Sequence, residues 1–273
     1  DGVVNAVAKT GMMTIVGGEF GNAGGMTANN LAMYDPQTGW SNFGTGTNGS
    51  VDAIVIGDDG SVYIGGSFTS VNGVQANNIA VWDGNQWSAL GEGTNGAVQA
   101  LQLDADGNLY AGGSFQNAGN LLVRNIALWT NGEWSALTDE TSGVQGTNNE
   151  IRSIAVGNGN QVYIGGNFDA AGGNPTSRIA VWSNNEWNAL GSGTSGFVQA
   201  ILITDDYIYA GGNFSLAGEQ TANRIARWSV QNSEWENLGE GVSGNVNSLE
   251  YDGNYVYAGG SFETASDTAE TEK

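Results

Sequence analysis

The chain has 273 residues and a formal charge of −21, from 28 acidic and 7 basic side chains, and it contains neither cysteine nor histidine. That composition excludes disulfides, zinc–thiolate and iron–sulfur sites, thiol and Ser-His-Asp catalysis, and imidazole-bound transition metals such as copper. The charge repels nucleic-acid phosphates and anionic membranes, and no apolar stretch approaches the ~20 residues that a membrane-spanning helix needs.

No window carries apolar residues at helical spacing for three turns, and each of the 45 glycines would penalise a helix interior. The predicted elements are strands. In chain order, the first apolar run starts at Val3 and leads to Gly17-Gly18-Glu19-Phe20, with Tyr34 fourteen residues after Phe20 and Trp40 beyond it. The second copy shows the unit in full. Val51–Ile56 is an apolar run, Gly57–Gly60 a turn, and Val62-Tyr63-Ile64 a second run ending at Gly65-Gly66-Ser67-Phe68. Asn78 then opens Ile79-Ala80-Val81-Trp82, Asp83-Gly84-Asn85 turns, and Trp87-Ser88-Ala89-Leu90 closes the copy. We label these four strands a to d.

Copies three, four and five repeat the tetrad at Gly112–Phe115, Gly165–Phe168 and Gly211–Phe214, followed by the pairs Trp129/Trp134, Trp182/Trp187 and Trp228/Trp235. A sixth tetrad, Gly259-Gly260-Ser261-Phe262, has no aromatic after it. The tetrad spacings of 48, 47, 53, 46 and 48 residues mark one supersecondary unit copied in a row. Four short strands per copy predict an all-β β-propeller, with the recurring aromatics filling the wedges between blades. Six blades with an incomplete last one are expected, and five blades plus a surplus hairpin is the alternative. The predicted domain spans 1–262, with 263–273 as a disordered acidic tail.

Val62-Tyr63-Ile64-Gly65-Gly66, Trp82-Asp83 and Trp87 resemble the kelch repeat. The fuller pattern, Gly-Gly-Ser-Phe, then Asn-Ile-Ala-x-Trp, then Trp-Ser-Ala-Leu-Gly, is similar to the propeller repeats of the fungal cortical polarity-marker family and its bacterial surface relatives. This resemblance runs from Val3 to Phe262 and implies the central-domain fold seen in galactose oxidase. It transfers no function, because those families include adhesion, polarity and scaffold proteins as well as an enzyme.

Strand order puts the b–c and d–a connections at one end of each blade and tight a–b and c–d turns at the other. Trp134 to Ile151 is seventeen residues where the other copies have eleven, so 138–146, with Asp139 and Glu140, is expected to project from the loop end as an insertion. Arg178 and Arg224 stand where copies one to three have Asn30, Asn78 and Asn125; Arg124 sits one position earlier, and Arg152 begins strand a of copy four. With Asp139 and Glu140 these four arginines form the candidate loop-end binding patch, suited to a carboxylate on a peptide or acidic sugar. The second position of strand a is polar throughout: Asn5, Asp52, Gln99, Arg152, Gln199 and Asn247 form a candidate ring at a channel mouth, expected to hold water. Asp104-Ala105-Asp106-Gly107-Asn108 has alternating oxygens, but a hairpin turn of that length lacks the ligands of a calcium loop. No metal site, cofactor or catalytic residue is expected.

The expected function is a non-catalytic, secreted or cell-surface binding or scaffold module of bacterial origin, engaging a protein or glycan at the loop end. Two alternatives stand beside it: a carbohydrate-active protein (lectin, lyase or hydrolase), and an assembly subunit that self-associates through its incomplete sixth blade.

Overall fold

The computed structural model describes residues 1–265, and its chain divides into two compact units, 1–136 and 137 onward. Most of the predicted tail, 266–273, lies outside the described residues. Residues 263–265 do not: Glu263 and Thr264 donate their N–H groups to Ser243 Oγ, and Ala265 bridges to Val242.

The first unit holds three copies of one antiparallel four-stranded sheet in the order a-b-c-d. In copy one the strands are Val3–Thr10, Met13–Glu19, Leu31–Asp35 and Gly39–Asn42; in copy two, Ser50–Ile56, Val62–Ser67, Ile79–Trp82 and Trp87–Ala89; in copy three, Ala97–Leu103, Leu109–Ser114, Ile126–Thr130 and Glu133–Ala136. The second unit has Ile151–Val156, Val162–Gly166, Ile179–Ser183 and Glu186–Ala189, then Val198–Ile203, Tyr207–Gly212, Ile225–Ser229 and Glu234–Asn237, then the hairpin Val246–Tyr251 with Val256–Gly260. The a–b and c–d turns close as expected for Asp and Gly: Asp83 Oδ1 accepts the N–H groups of Asn85 and Gln86 beside Gly84 at φ +95°. Each b–c connection also contains a two-residue hairpin, such as Ser70–Val71 with Val74–Gln75, which the sequence reading treats as loop.

The glycine pair has two separate reasons. A Cβ on Gly66 would run into the Ser50 carbonyl at the start of its own strand a, so the second glycine admits a bulge there. A Cβ on Gly65 would lie 2.5 Å from Val98 Cγ1 of the next copy, so the first glycine is the floor on which the following strand a sits. Gly17 receives Val51, Gly165 receives Val198 and Gly211 receives Val246 in the same way. The tetrad phenylalanines Phe68, Phe115 and Phe214 are buried in the resulting cores, and Phe168 is buried as well.

The paired aromatics meet across strands c and d, with ring centroids 5.0 Å apart for Trp129/Trp134 and 5.1 Å for Trp182/Trp187. Trp134 Nε1 donates to the Leu90 carbonyl of the preceding copy at 3.0 Å, and Trp235 Nε1 to that of Leu190 at 2.9 Å. Copy one departs from the expected core role. Tyr34 and Trp40 are exposed.

Candidate binding surface

The six polar residues at the second position of strand a share one backbone feature. Register shifts between Val4 and Ala6, Val51 and Ala53, Val98 and Ala100, Ile151 and Ser153, Val198 and Ala200, and Val246 and Ser248. Asn5, Asp52, Gln99, Arg152, Gln199 and Asn247 are therefore the extra residues of β-bulges, released from the ladder to turn their side chains sideways. Neighbours then meet. In the first unit Asn5 Nδ2 donates to Asp52 Oδ1 at 2.9 Å. In the second, Arg152 NH1 donates to Gln199 Oε1 at 2.9 Å while its Nε and NH2 hold Glu150 Oε1, and its guanidinium lies 5.0 Å from the Phe197 ring centroid. Burial raises the Asp52 carboxyl above its ordinary range, against hydrogen bonds from Ser50 and Asn5 that favour the charged form.

At the loop end, side chains latch each copy to the next. Asn48 Oδ1 accepts the N–H groups of Thr69 and Ser70, Asn95 Oδ1 those of Gln116 and Asn117, and Asn148 Oδ1 those of Asp169 and Ala170. Ser195 Oγ and Ser243 Oγ do the same one and two copies later, and Asp1 Oδ1 accepts from Gly21 and Asn22.

Arg178 and Arg224 belong to this lattice. Asn30 and Asn78 stand at φ +64°, and their Nδ2 atoms donate to the carbonyls of Thr47 and Thr94. Arg178 at φ +72° and Arg224 at φ +67° reach the equivalent carbonyls of Thr194 and Val242 through NH1. Each replaces asparagine in a hydrogen bond that fastens the d–a loop, and Arg178 adds a long ion pair to exposed Asp169 at 3.5 Å. Arg152 faces the bulge row instead, and Arg124 is exposed in the first unit.

The insertion does not project. Asp139 is buried, and its Oδ2 accepts the Trp187 N–H at 2.9 Å, while its Oδ1 accepts that of Ser142 at 2.8 Å. The Glu140 N–H donates to the Asn185 carbonyl, and its carboxylate accepts from Asn185 Nδ2 at 2.7 Å. The segment lies along strand d of copy four and bonds to its edge, with Asp139 buried there and Glu140 exposed. The hydrogen bonds from Trp187 and then Ser142 hold the Asp139 carboxyl below its ordinary range.

Two clefts open at the loop end of the first unit, of about 710 and 820 Å³. Asn29, Asn30, Thr47 and Asn48 in the first occupy the register of Asn77, Asn78, Thr94 and Asn95 in the second. Each has one glutamate, Glu19 or Glu92, among its lining residues. At the turn end a third cleft of about 660 Å³ gathers Asp58, Asp59, Asp104, Asp106 and Tyr63. Asp104 there accepts N–H groups from Asp106 and Asn108 and is consumed by the turn. Burial, then the Asp59 charge, raise the Tyr63 phenol, the wrong direction for a catalytic base. A charged group that sequence reasoning passed over is Arg227, whose Nε lies 2.7 Å from Glu236 Oε2 with the guanidinium 4.2 Å from the Tyr207 ring centroid. Its signal was visible: position x of Ile-Ala-x-Trp is apolar in copies two to four.

The repeated four-stranded antiparallel sheets are blades, and the protein is an all-β protein of β-propeller type. A family model described as the Rax2 C-terminal beta propeller domain matches residues 45–147. No curated protein sequence matches the chain. Among solved structures, the computationally designed Ika8 protein is similar at 17% identity, with 93% of this chain and 67% of that one covered and a TM-score of 0.60. Two structures of the extracellular domain of BT4673 from B. thetaiotaomicron, described as a one-component and as a hybrid two-component system, match at 17% and 16% identity. They cover 94% and 99% of this chain, with TM-scores of 0.64 and 0.62. The chain spans about a third of their length, 31% and 33%. Among the described residues no helix is long and apolar enough to cross a membrane.

Proposed function

We propose that this chain is a non-catalytic binding or scaffold module, working outside the cell or at its surface, that engages a protein or glycan through the loop end of its blades. The observation that carries this reading is the pair of corresponding polar clefts in successive copies, which offer amide and hydroxyl groups at a fixed repeat to a partner with repeated polar groups. The kelch-type assignment and kinship with the polarity-marker propellers rest on the repeat pattern and the match over 45–147. The extracellular setting rests on the likeness to the extracellular domain of BT4673. The acidic charge argues against nucleic acid as a partner.

The test is a screen of glycans and surface proteins against the chain, followed by cleft filling with Thr45→Trp and Glu92→Trp, both exposed positions. A ligand whose Kd weakens at least tenfold in the filled variant, with circular dichroism and Tm unchanged, is the expected result. Ligands bound equally well by both would sink the loop-end reading, and turnover of a polysaccharide would replace it with the carbohydrate-active one.

A further inference from the structure

We infer that the outer edge of copy five takes an extended segment of a partner protein, which seats an aspartate carboxylate on the Trp235 N–H. This rests on strand edges and not on the loop-end reading, and both edges compared lie in the second unit. Copy four shows how such a segment is held. Asp139 Oδ2 accepts the Trp187 N–H at 2.9 Å, the Glu140 N–H donates to the Asn185 carbonyl, and Thr141 Oγ1 donates to Glu186 Oε1 at 2.8 Å. Three consecutive residues thus give an acceptor, a main-chain donor and a hydroxyl to the edge of strand d. The b–c hairpin backs the seat. A Cβ on Gly172 would lie 2.8 Å from that of Asp139, and Asn174 Nδ2 lies 3.4 Å from both Asp139 Oδ2 and the Trp187 carbonyl oxygen.

Copy five has the same seat without the segment. Ser233, Glu234 and Trp235 stand in the register of Asn185, Glu186 and Trp187, with Ser233 at φ +55° and Asn185 at φ +60°. Gly218 and Gln220 take the places of Gly172 and Asn174, whereas copies one to three have Met26, Val74 and Leu121 where the amide stands. Gln220 Nε2 donates to the Trp235 carbonyl at 3.0 Å. That carbonyl therefore points away from strand c, and the N–H of the same residue points with it. Trp235 is only 4% exposed, and no acceptor for its N–H stands among the described residues. A buried N–H left unpaired is costly, so the seat favours an acceptor from outside. The atom nearest to a Cβ on Gly218 would be in the Trp235 ring, at 3.2 Å, so the space that Asp139 fills in copy four is open. The preceding link does not fill it. Leu137 and Leu190 accept Nε1 of Trp187 and Trp235 alike, but Asp139 lies two residues beyond the first, and Gly191-Ser192-Gly193 follows the second. The occupant that meets every group is an extended Asp-x-Thr segment: the carboxylate for the Trp235 N–H, the main-chain N–H after it for the Ser233 carbonyl, and the hydroxyl for Glu234.

A peptide with the sequence of residues 138–145, titrated into the isotope-labelled full chain and followed by NMR, tests this. The expected result is a saturable shift of the Trp235 amide resonance and slower exchange of its proton. The Asp139→Ala peptide should bind at least tenfold more weakly. Glu234→Ala in the chain, at an exposed position, should weaken the parent peptide and leave a Thr141→Val peptide unaffected. A Trp235 amide that does not move at millimolar peptide, or equal binding of the parent and Asp139→Ala peptides, would overturn the inference and leave that N–H to water alone.

Discussion

Arg152 and Gln199, each the extra residue of a β-bulge in successive strands a, are joined from NH1 to Oε1 at 2.9 Å. Asn5 and Asp52 stand in the same relationship, Nδ2 to Oδ1, in the first unit. The bulge that the glycine pair admits is thus also the device that lines up polar side chains from copy to copy.

Asp52 gives this row a pH dependence. Its folded-state carboxyl is raised above the ordinary 3.8, chiefly by burial. The folded state therefore holds the proton more tightly than the unfolded one. Stability falls as pH rises from the unfolded pKa through the folded one, and stays lower above it. Asp52→Asn keeps an acceptor for Asn5 and removes the charge. Its Tm should match that of the parent at acid pH and exceed it at neutral pH, by no more than about 0.5 kcal/mol in stability for this half-exposed group. Equal pH profiles for the two proteins would contradict the assignment.

Arg178 does the work of an asparagine at a backbone angle that asparagine tolerates better. It stands at φ +72° and donates to the Thr194 carbonyl, as Asn78 at φ +64° does to that of Thr94. Arg178→Asn should leave Tm unchanged or raise it, by up to about 1 kcal/mol in stability. Arg178→Leu loses the donor and should cost about 1 kcal/mol. Denaturant melts of the two variants check this, and a loss with asparagine equal to that with leucine would show that the guanidinium is needed for itself.

The insertion predicts the effect of its own removal. Asp139 satisfies the buried Trp187 N–H, so Asp139→Ala should destabilise by about 1–3 kcal/mol by orphaning that donor. Because the folded carboxyl is held below 3.8, its contribution is present above the unfolded pKa and is lost as pH falls through the lower folded value. The gap between the parent and Asp139→Ala should therefore narrow only in strong acid, which urea titrations at stepped pH would show. A constant difference down to that range would rule out the charged form as the stabilising species.

Repeat boundaries, strand order, the glycine pairs and the aromatic pairs were all legible in the sequence, because a unit copied every 48 residues or so shows which positions cannot vary. The candidate site was legible less evenly. The polar second position of strand a stood out, but its bulge did not, since an extra residue in a ladder is defined by the partner strand. Arg178 and Arg224 looked like a basic patch because scarcity drew attention to them. Their asparagine counterparts held the better clue, as the side chain that closes the loop from a left-handed backbone. The insertion 138–146 was visible as six added residues, while its course along strand d depends on which backbone edge is open.

By itself the sequence determined the blade: short strands of β-branched residues, turns of Asp, Asn and Gly, and a floor that only glycine can provide, all consequences of local geometry and periodic burial. Tertiary structure decided which polar groups are spent within the fold. Asp139, Arg178 and Arg224 are indistinguishable in sequence from free surface charges, and only the placement of a carbonyl or an N–H from elsewhere in the fold turns each into a structural bond. It also closed each junction described within the two units by seating a valine of the following strand a on the first tetrad glycine.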